Sequence, residues 1–210
     1  MRIHCNLTLG DPTRMAMAKH LAALAAITFL TTSLAIPSKA VNVDTPNLDA
    51  SVQASPQQQF HLRMHHLHTG EDIDVVYRIG NTYLPGALDE LNHFLRDHRT
   101  QDVSSYDPKE FDVLHALMAS LGRPNGVIDI ICGYRTPWSN NFLRTRSAET
   151  GVAEHSQHML AKAIDIRVPG ISTVALRNAA LALHAGGVGF YPVSQFVHVD
   201  VGPVRTWSFR

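Results

Sequence analysis

Two short segments in the second half of the chain restrict its fold more than any other feature: Ala163-Ile164-Asp165-Ile166-Arg167-Val168 and Phe196-Val197-His198-Val199-Asp200-Val201. Branched apolar residues alternate in them with small or polar ones. Successive side chains leave a strand on opposite sides, so this pattern marks a strand with one face against a core. Ala163, Asp165 and Arg167 share one face of the first segment, and His198 and Asp200 share one face of the second. A carboxylate and an imidazole are thus expected on faces turned away from the core. If the strands are neighbours, Asp165 and His198 converge. His158, seven residues before Asp165 on the preceding loop, then completes a facial set.

The remaining elements are read from periodicity and caps. Phe60 to His66 and Ile73 to Tyr77 flank a glycine turn and predict a hairpin. His61, His65, His66 and His68 lie on it and read as polar positions of a half-exposed ribbon rather than a metal site. Leu88, Leu91, Phe94 and Leu95 predict a helix from Pro85 to about His98. Asp107 is an N-cap, Pro108 suits the first helical position, and Glu110 completes a capping box for a helix ending at Leu121 before Gly122. Val127 to Ile131 is a strand, and Thr136 caps the helix that follows Gly133-Tyr134-Arg135-Thr136-Pro137. Ser172 caps another helix through His184, after which Gly186-Gly187-Val188-Gly189 leads into the final strand, Phe196 to Val201. Helices first and strands late give an α+β fold with a small antiparallel or mixed sheet and helices packed against it.

Ahead of this domain, Arg14 and Lys19 precede an apolar run from Leu21 to Ile36 and then small residues, which reads as a signal peptide over residues 1–40. The run falls short of the roughly 20 residues that span a bilayer. A retained N-terminal anchor is the alternative. Residues 41–59 are polar and proline-punctuated, a disordered linker, leaving 60–210 as the folded domain. Cys5 precedes the expected cleavage site and Cys132 follows it, so the mature chain has no internal disulfide, and Cys132 reads as a small buried hydrophobe. Lysine plus arginine balances aspartate plus glutamate at 18 each, so no net field favours nucleic acid or an anionic membrane, and no integral membrane partner is implied.

Two imidazoles and a carboxylate suit zinc. Three protein ligands leave a fourth position for water, whose pKa the metal lowers from about 15.7 toward about 7. Histidine and aspartate at this spacing do not by themselves specify zinc.

The segment from Glu154 through His155, Ser156, Gln157 and His158 to Asp165 resembles the S-x-H-x(6)-D zinc motif of the hedgehog/D-Ala-D-Ala peptidase superfamily. Four further stretches are similar to its murein endopeptidase K-like branch: Asn92 to Arg99, Gly133 to Pro137, Ala185 to Gly189, and Phe196 to Asp200. The likeness covers Phe60 to Trp207. It implies one zinc ion on His158, Asp165 and His198, and an exported envelope enzyme of the periplasm that cleaves the cross-linked stem peptides of peptidoglycan. The type of cross-link, D,D or L,D, stays open.

Relatives that trim stem-peptide ends carry a catalytic carboxylate three positions before the last zinc histidine, where this chain has Gln195. Proton handling therefore falls to Asp200 or His155. Asp200 can equally orient a ligand histidine, and His155 can be an ordinary loop residue. Arg135 suits a substrate clamp or oxyanion donor, or a structural salt bridge, and Ser156 suits substrate bonding or a turn. Two rival functions remain: a D,D-carboxypeptidase or dipeptidase, and a zinc-stabilised murein-binding module without turnover.

Overall fold

A computed structural model describes residues 57–146 and 150–209. The expected signal peptide and all but the end of the expected linker lie outside the described residues. The first strand begins at Gln59, one residue before the expected start.

The sheet has eight strands: β1 (Gln59–His66), β2 (Asp72–Ile79), β3 (Thr82–Tyr83), β4 (Val127–Cys132), β5 (Ala163–Arg167), β6 (Gly187–Tyr191), β7 (Phe196–Asp200) and β8 (Arg205–Ser208). Their order is β3-β2-β1-β4-β5-β7-β6-β8. The β1–β4 and β6–β8 pairs are parallel and the others antiparallel. Four helices accompany it: α1 (Pro85–Phe94), α2 (Lys109–Ser120), α3 (Pro137–Arg144) and α4 (Thr173–Leu183). Helices α2 and α4 pack on each other and on β1, β6 and β7, and α1 packs on β2. The α+β mixed sheet is as expected, but it is larger, and three of its strands precede the first helix.

The core follows the alternation read from the sequence. Ile128 and Ile130 of β4, Ile164 and Ile166 of β5, and Val197 and Val199 of β7 are buried together with Phe111, Leu114 and Leu117 of α2. Each such side chain contributes about 1.5–3 kcal/mol by leaving water.

Several local expectations are corrected. Helix α1 stops at Phe94 rather than His98, because the buried Asp97 carboxylate is engaged outside the helix. It accepts from Arg99 N (3.0 Å), Thr136 N (2.8 Å) and Thr136 Oγ1 (2.9 Å). Helix α2 starts one residue late. Asp107 Oδ1 still accepts from Lys109 N at 3.1 Å, but the capping box does not form, since the Glu110 carboxyl is buried with no hydrogen-bond partner among the described residues. Burial pushes that carboxyl's pKa well up, which favours its neutral form. Thr136 and Ser172 cap α3 and α4 as expected, accepting from Ser139 N (3.1 Å) and Ala175 N (3.2 Å).

The largest correction concerns the glycine stretch, which is not a turn into the last strand. Gly187 opens β6, and a further strand, β8, follows β7. Glycine is needed there for close approach. A Cβ on Gly187 would strike the Asp200 carboxylate and the Arg205 guanidinium, and one on Gly189 would lie 2.6 Å from the Trp207 ring.

On the hairpin, His61 pairs with Asp74, and His65 Nδ1 lies 2.8 Å from Asp72 Oδ1. His66 is fully buried, edge-on to Phe94 at 5.8 Å, rather than half-exposed. Among the described residues these histidines form no metal-holding group, and no helix is long and apolar enough to cross a membrane.

Candidate metal centre

Strands β5 and β7 are antiparallel neighbours in which Asp165 stands opposite His198 and Ala163 opposite Asp200. Between α3 and β5 lies the segment that carries Ser156 and His158. There Ser156 Oγ accepts from His158 N at 3.3 Å and starts the single 3-10 turn Gln157–Leu160, which Ala161 closes in the left-handed conformation (φ 50°). This turn lowers His158 onto the two strands. The face read as turned away from the core is therefore covered: His158, Asp165 and Asp200 are 1%, 4% and 1% exposed, and His198 6%.

Three atoms converge. His158 Nε2 lies 3.2 Å from Asp165 Oδ1 and 3.1 Å from His198 Nδ1, and His198 Nδ1 lies 2.9 Å from Asp165 Oδ1. The far side of each ring fixes its tautomer. His158 Nδ1 is 2.7 Å from the Gly133 carbonyl and His198 Nε2 is 2.9 Å from Asp200 Oδ2, both of them acceptors. The outer nitrogens hence carry the hydrogens, and both inner lone pairs face the Asp165 oxygen. Three lone pairs at this separation require a cation between them. Zinc at about 2.0–2.2 Å from N and O donors sets ligand atoms roughly 3.3 Å apart, close to the triangle seen here. The backing of both rings by oxygen acceptors is also the usual arrangement around metal-bound histidines.

Without a metal, a proton takes that place. Burial and Arg135 oppose charge on His158, but Asp165 and Cys132 outweigh them and raise its pKa to about 9. Burial would raise the Asp165 carboxyl, yet the two histidines hold it well below the usual carboxylate range.

Arg135 is buried behind the triad. Its Nη2 donates to Asp165 Oδ2 at 3.1 Å, its Nε to Cys132 Sγ at 3.1 Å and its Nη1 to Asn140 Oδ1 at 3.4 Å. Cys132 is therefore more than a core hydrophobe. It, His158 and Asp165 each offer a donor atom within 4.8 Å of the others, a second set able to hold an ion. The set with His198 is tighter, and the Cys132 sulfur already accepts from Arg135.

Asp200 is fully engaged. Oδ1 accepts from Gly187 N (3.1 Å), Gly202 N (2.8 Å) and Arg205 Nη1 (3.0 Å), while Oδ2 faces His198 Nε2 (2.9 Å) and Arg205 Nη2 (2.7 Å). Burial opposes its charge, but His198 and Arg205 keep its pKa far below the ordinary value. The carboxylate sits behind His198, on the ring edge away from the triad. His155, by contrast, is exposed on the wall of the cavity into which the triad opens. Gln195 adopts φ 54° and borders a separate depression with Asp129 and Arg167, and it does not line this cavity.

Three contributors were not foreseen. Tyr191 and Trp207 line the cavity, and Arg205 anchors Asp200. Neither a partly buried aromatic nor an arginine on a strand of unknown register carries a signal of such a role in one sequence.

A sequence model of the family described as peptidoglycan L,D-endopeptidase MepK matches residues 54–207. The probable peptidoglycan L,D-endopeptidase MepK of Haemophilus influenzae is 38% identical over 163 residues, covering 78% of this chain and 86% of that protein. The peptidoglycan L,D-endopeptidase MepK of Escherichia coli K12 is 45% identical over 146 residues, 70% of this chain and 79% of that protein. No solved structure matches. With the family model spanning most of the chain and relatives this similar along most of their length, the chain belongs to the peptidoglycan L,D-endopeptidase MepK family.

Proposed function

We propose that this protein is a zinc-dependent endopeptidase that hydrolyses L,D peptide cross-links of peptidoglycan, with His158, Asp165 and His198 as the metal ligands. One observation carries the reading: two imidazole lone pairs and a carboxylate oxygen meet within 3.2 Å at the floor of an open cavity. Family membership supplies the bond class, an L-configured residue joined to a D-configured one, and resolves the choice that the sequence motifs left open.

Zinc bound there supplies Lewis acidity and a water made acidic enough to attack at neutral pH. The protein does the rest. Gly133 and Asp200 hold the two histidines in the tautomers that leave their inner nitrogens free. Arg135 fixes Asp165 by donating to its Oδ2. Since every oxygen of Asp200 is committed, Asp200 serves as the orienting carboxylate, and proton transfer falls to His155 on the cavity wall. Export by the N-terminal segment, residues 1–40, would place the enzyme in the periplasm with its substrate.

Digestion of purified sacculi tests the reading. Wild-type protein with zinc should release monomeric muropeptides from L,D-cross-linked dimers, and His158→Ala should release none. Wild-type protein that binds sacculi and leaves the dimers intact refutes it.

A further inference from the structure

The cavity wall beside the triad carries a hydroxyl whose one hydrogen-bond partner among the described residues is a donor. Tyr191 ends β6, and Gly189, two residues earlier on the same face, pairs with His198 of β7. Tyr191 therefore projects one step along the sheet from a metal-ligand candidate. Its ring stacks on Phe196, its cross-strand partner, with centroids 4.2 Å apart and planes 11° from parallel. Trp207 Nε1 donates to the phenolic oxygen at 3.0 Å.

An indole N–H can only donate, so the Tyr191 oxygen accepts and its own O–H must be directed elsewhere. No acceptor among the described residues takes it. Tyr191 shares the cavity lining with Arg135, His158, Asp165 and His198. Burial and the charge on Asp165 outweigh the Trp207 bond and raise its pKa, so the phenol is a neutral donor at neutral pH.

The placement of Trp207 is itself constructed. Strand β8 runs parallel to β6 with Trp207 opposite Gly189, and only a residue without Cβ lets the indole lie there, 5.1 Å from the His198 ring. The Arg205 guanidinium covers the indole at 4.9 Å. A glycine, a tryptophan and a stacked phenylalanine thus converge on fixing one phenol.

We propose that Tyr191 is a catalytic residue that donates its O–H to the carbonyl oxygen of the scissile peptide bond, with Trp207 as the positioning residue that holds the phenol. The hydrogen bond strengthens as that oxygen gains negative charge, and the proton stays on the phenol throughout. This role rests on the hydrolytic reading of the site.

The test uses the zinc-loaded protein, a defined L,D-cross-linked muropeptide dimer, and kcat and KM measured separately beside zinc content. Tyr191→Phe should lower kcat about 100- to 1000-fold, as loss of one oxyanion donor does, with KM within about twofold and zinc content unchanged. Trp207→Phe keeps an aromatic ring but loses the donor, and should lower kcat by about tenfold with the same zinc content. Wild-type kcat in Tyr191→Phe overturns the role, as does a loss matched by an equal loss of zinc. An inactive wild type instead defeats the hydrolytic reading itself, an outcome visible before any variant is made.

Discussion

Asp165 and His198 face each other directly across β5 and β7, with Oδ1 and Nδ1 2.9 Å apart. Two ligand candidates are set by sheet register and the third, His158, by a single 3-10 turn that Ser156 starts. The strands supply rigidity, and the turn supplies closure over the face.

Removing any member of this set should remove the ion. In His198→Ala or Asp165→Asn, zinc measured by atomic emission after dialysis should fall from one equivalent to near zero. Hydrolysis of sacculi should fall at least about 1000-fold with it, since the attacking water loses its activation. Retention of a full zinc equivalent in both variants counts against the assignment.

Asp200→Asn separates orientation from proton transfer. As an orienting group, Asp200 should cost about 10- to 100-fold in zinc affinity when replaced, and activity should return when zinc is added in excess. A variant fully loaded with zinc yet inactive would mean that Asp200 handles the proton.

Cys132→Ala asks whether the thiol is a ligand. With three N and O donors sufficient, the variant should keep one zinc per chain and activity within about threefold of wild type. Loss of the metal would place sulfur in the coordination sphere and close the position needed for water.

Arg135→Ala leaves Asp165 without its guanidinium partner in a buried setting. Breaking a buried pair from one side costs about 3–5 kcal/mol, which urea unfolding of the metal-free protein should register. A change below about 1 kcal/mol would mean that the ion pair contributes little.

Acid sensitivity should come from a different part of the molecule. His66 and His98, packed with His68, are depressed by burial and by neighbouring positive charge to about 4. The unfolded chain takes up their protons near 6.5, while the fold resists until about 4. Unfolding therefore binds protons in that window, and stability falls as pH drops through it. Melting temperature between pH 7 and 4 should decline less steeply in His98→Phe, which keeps the stack on His68 but cannot titrate. An unchanged slope would remove His98 from the account.

The site was legible where alternation forced it. With Ile164, Ile166, Val197 and Val199 committed to one face, Asp165 and His198 had to share the other, and the structure sets them side by side. Burial of that face was not legible, because the cover comes from a 3-10 turn with no periodic pattern. The glycines at 187 and 189 misled for a definite reason. Glycine marks turns and close approaches alike, and which one applies depends on Asp200 and Trp207, residues far along the chain. Glu110 followed the capping-box spacing but points into the interior, where tertiary packing overrides the local preference.

Asp165 and His198 rest on central strands, whereas much of the cavity rim comes from residues 150–155 and strand β8. The register that pairs Asp165 with His198 is thus mechanically separate from the segment 150–154. Evolution or an engineer can therefore alter residues 150–154, and with them what the cavity admits, while leaving Asp165 and His198 side by side.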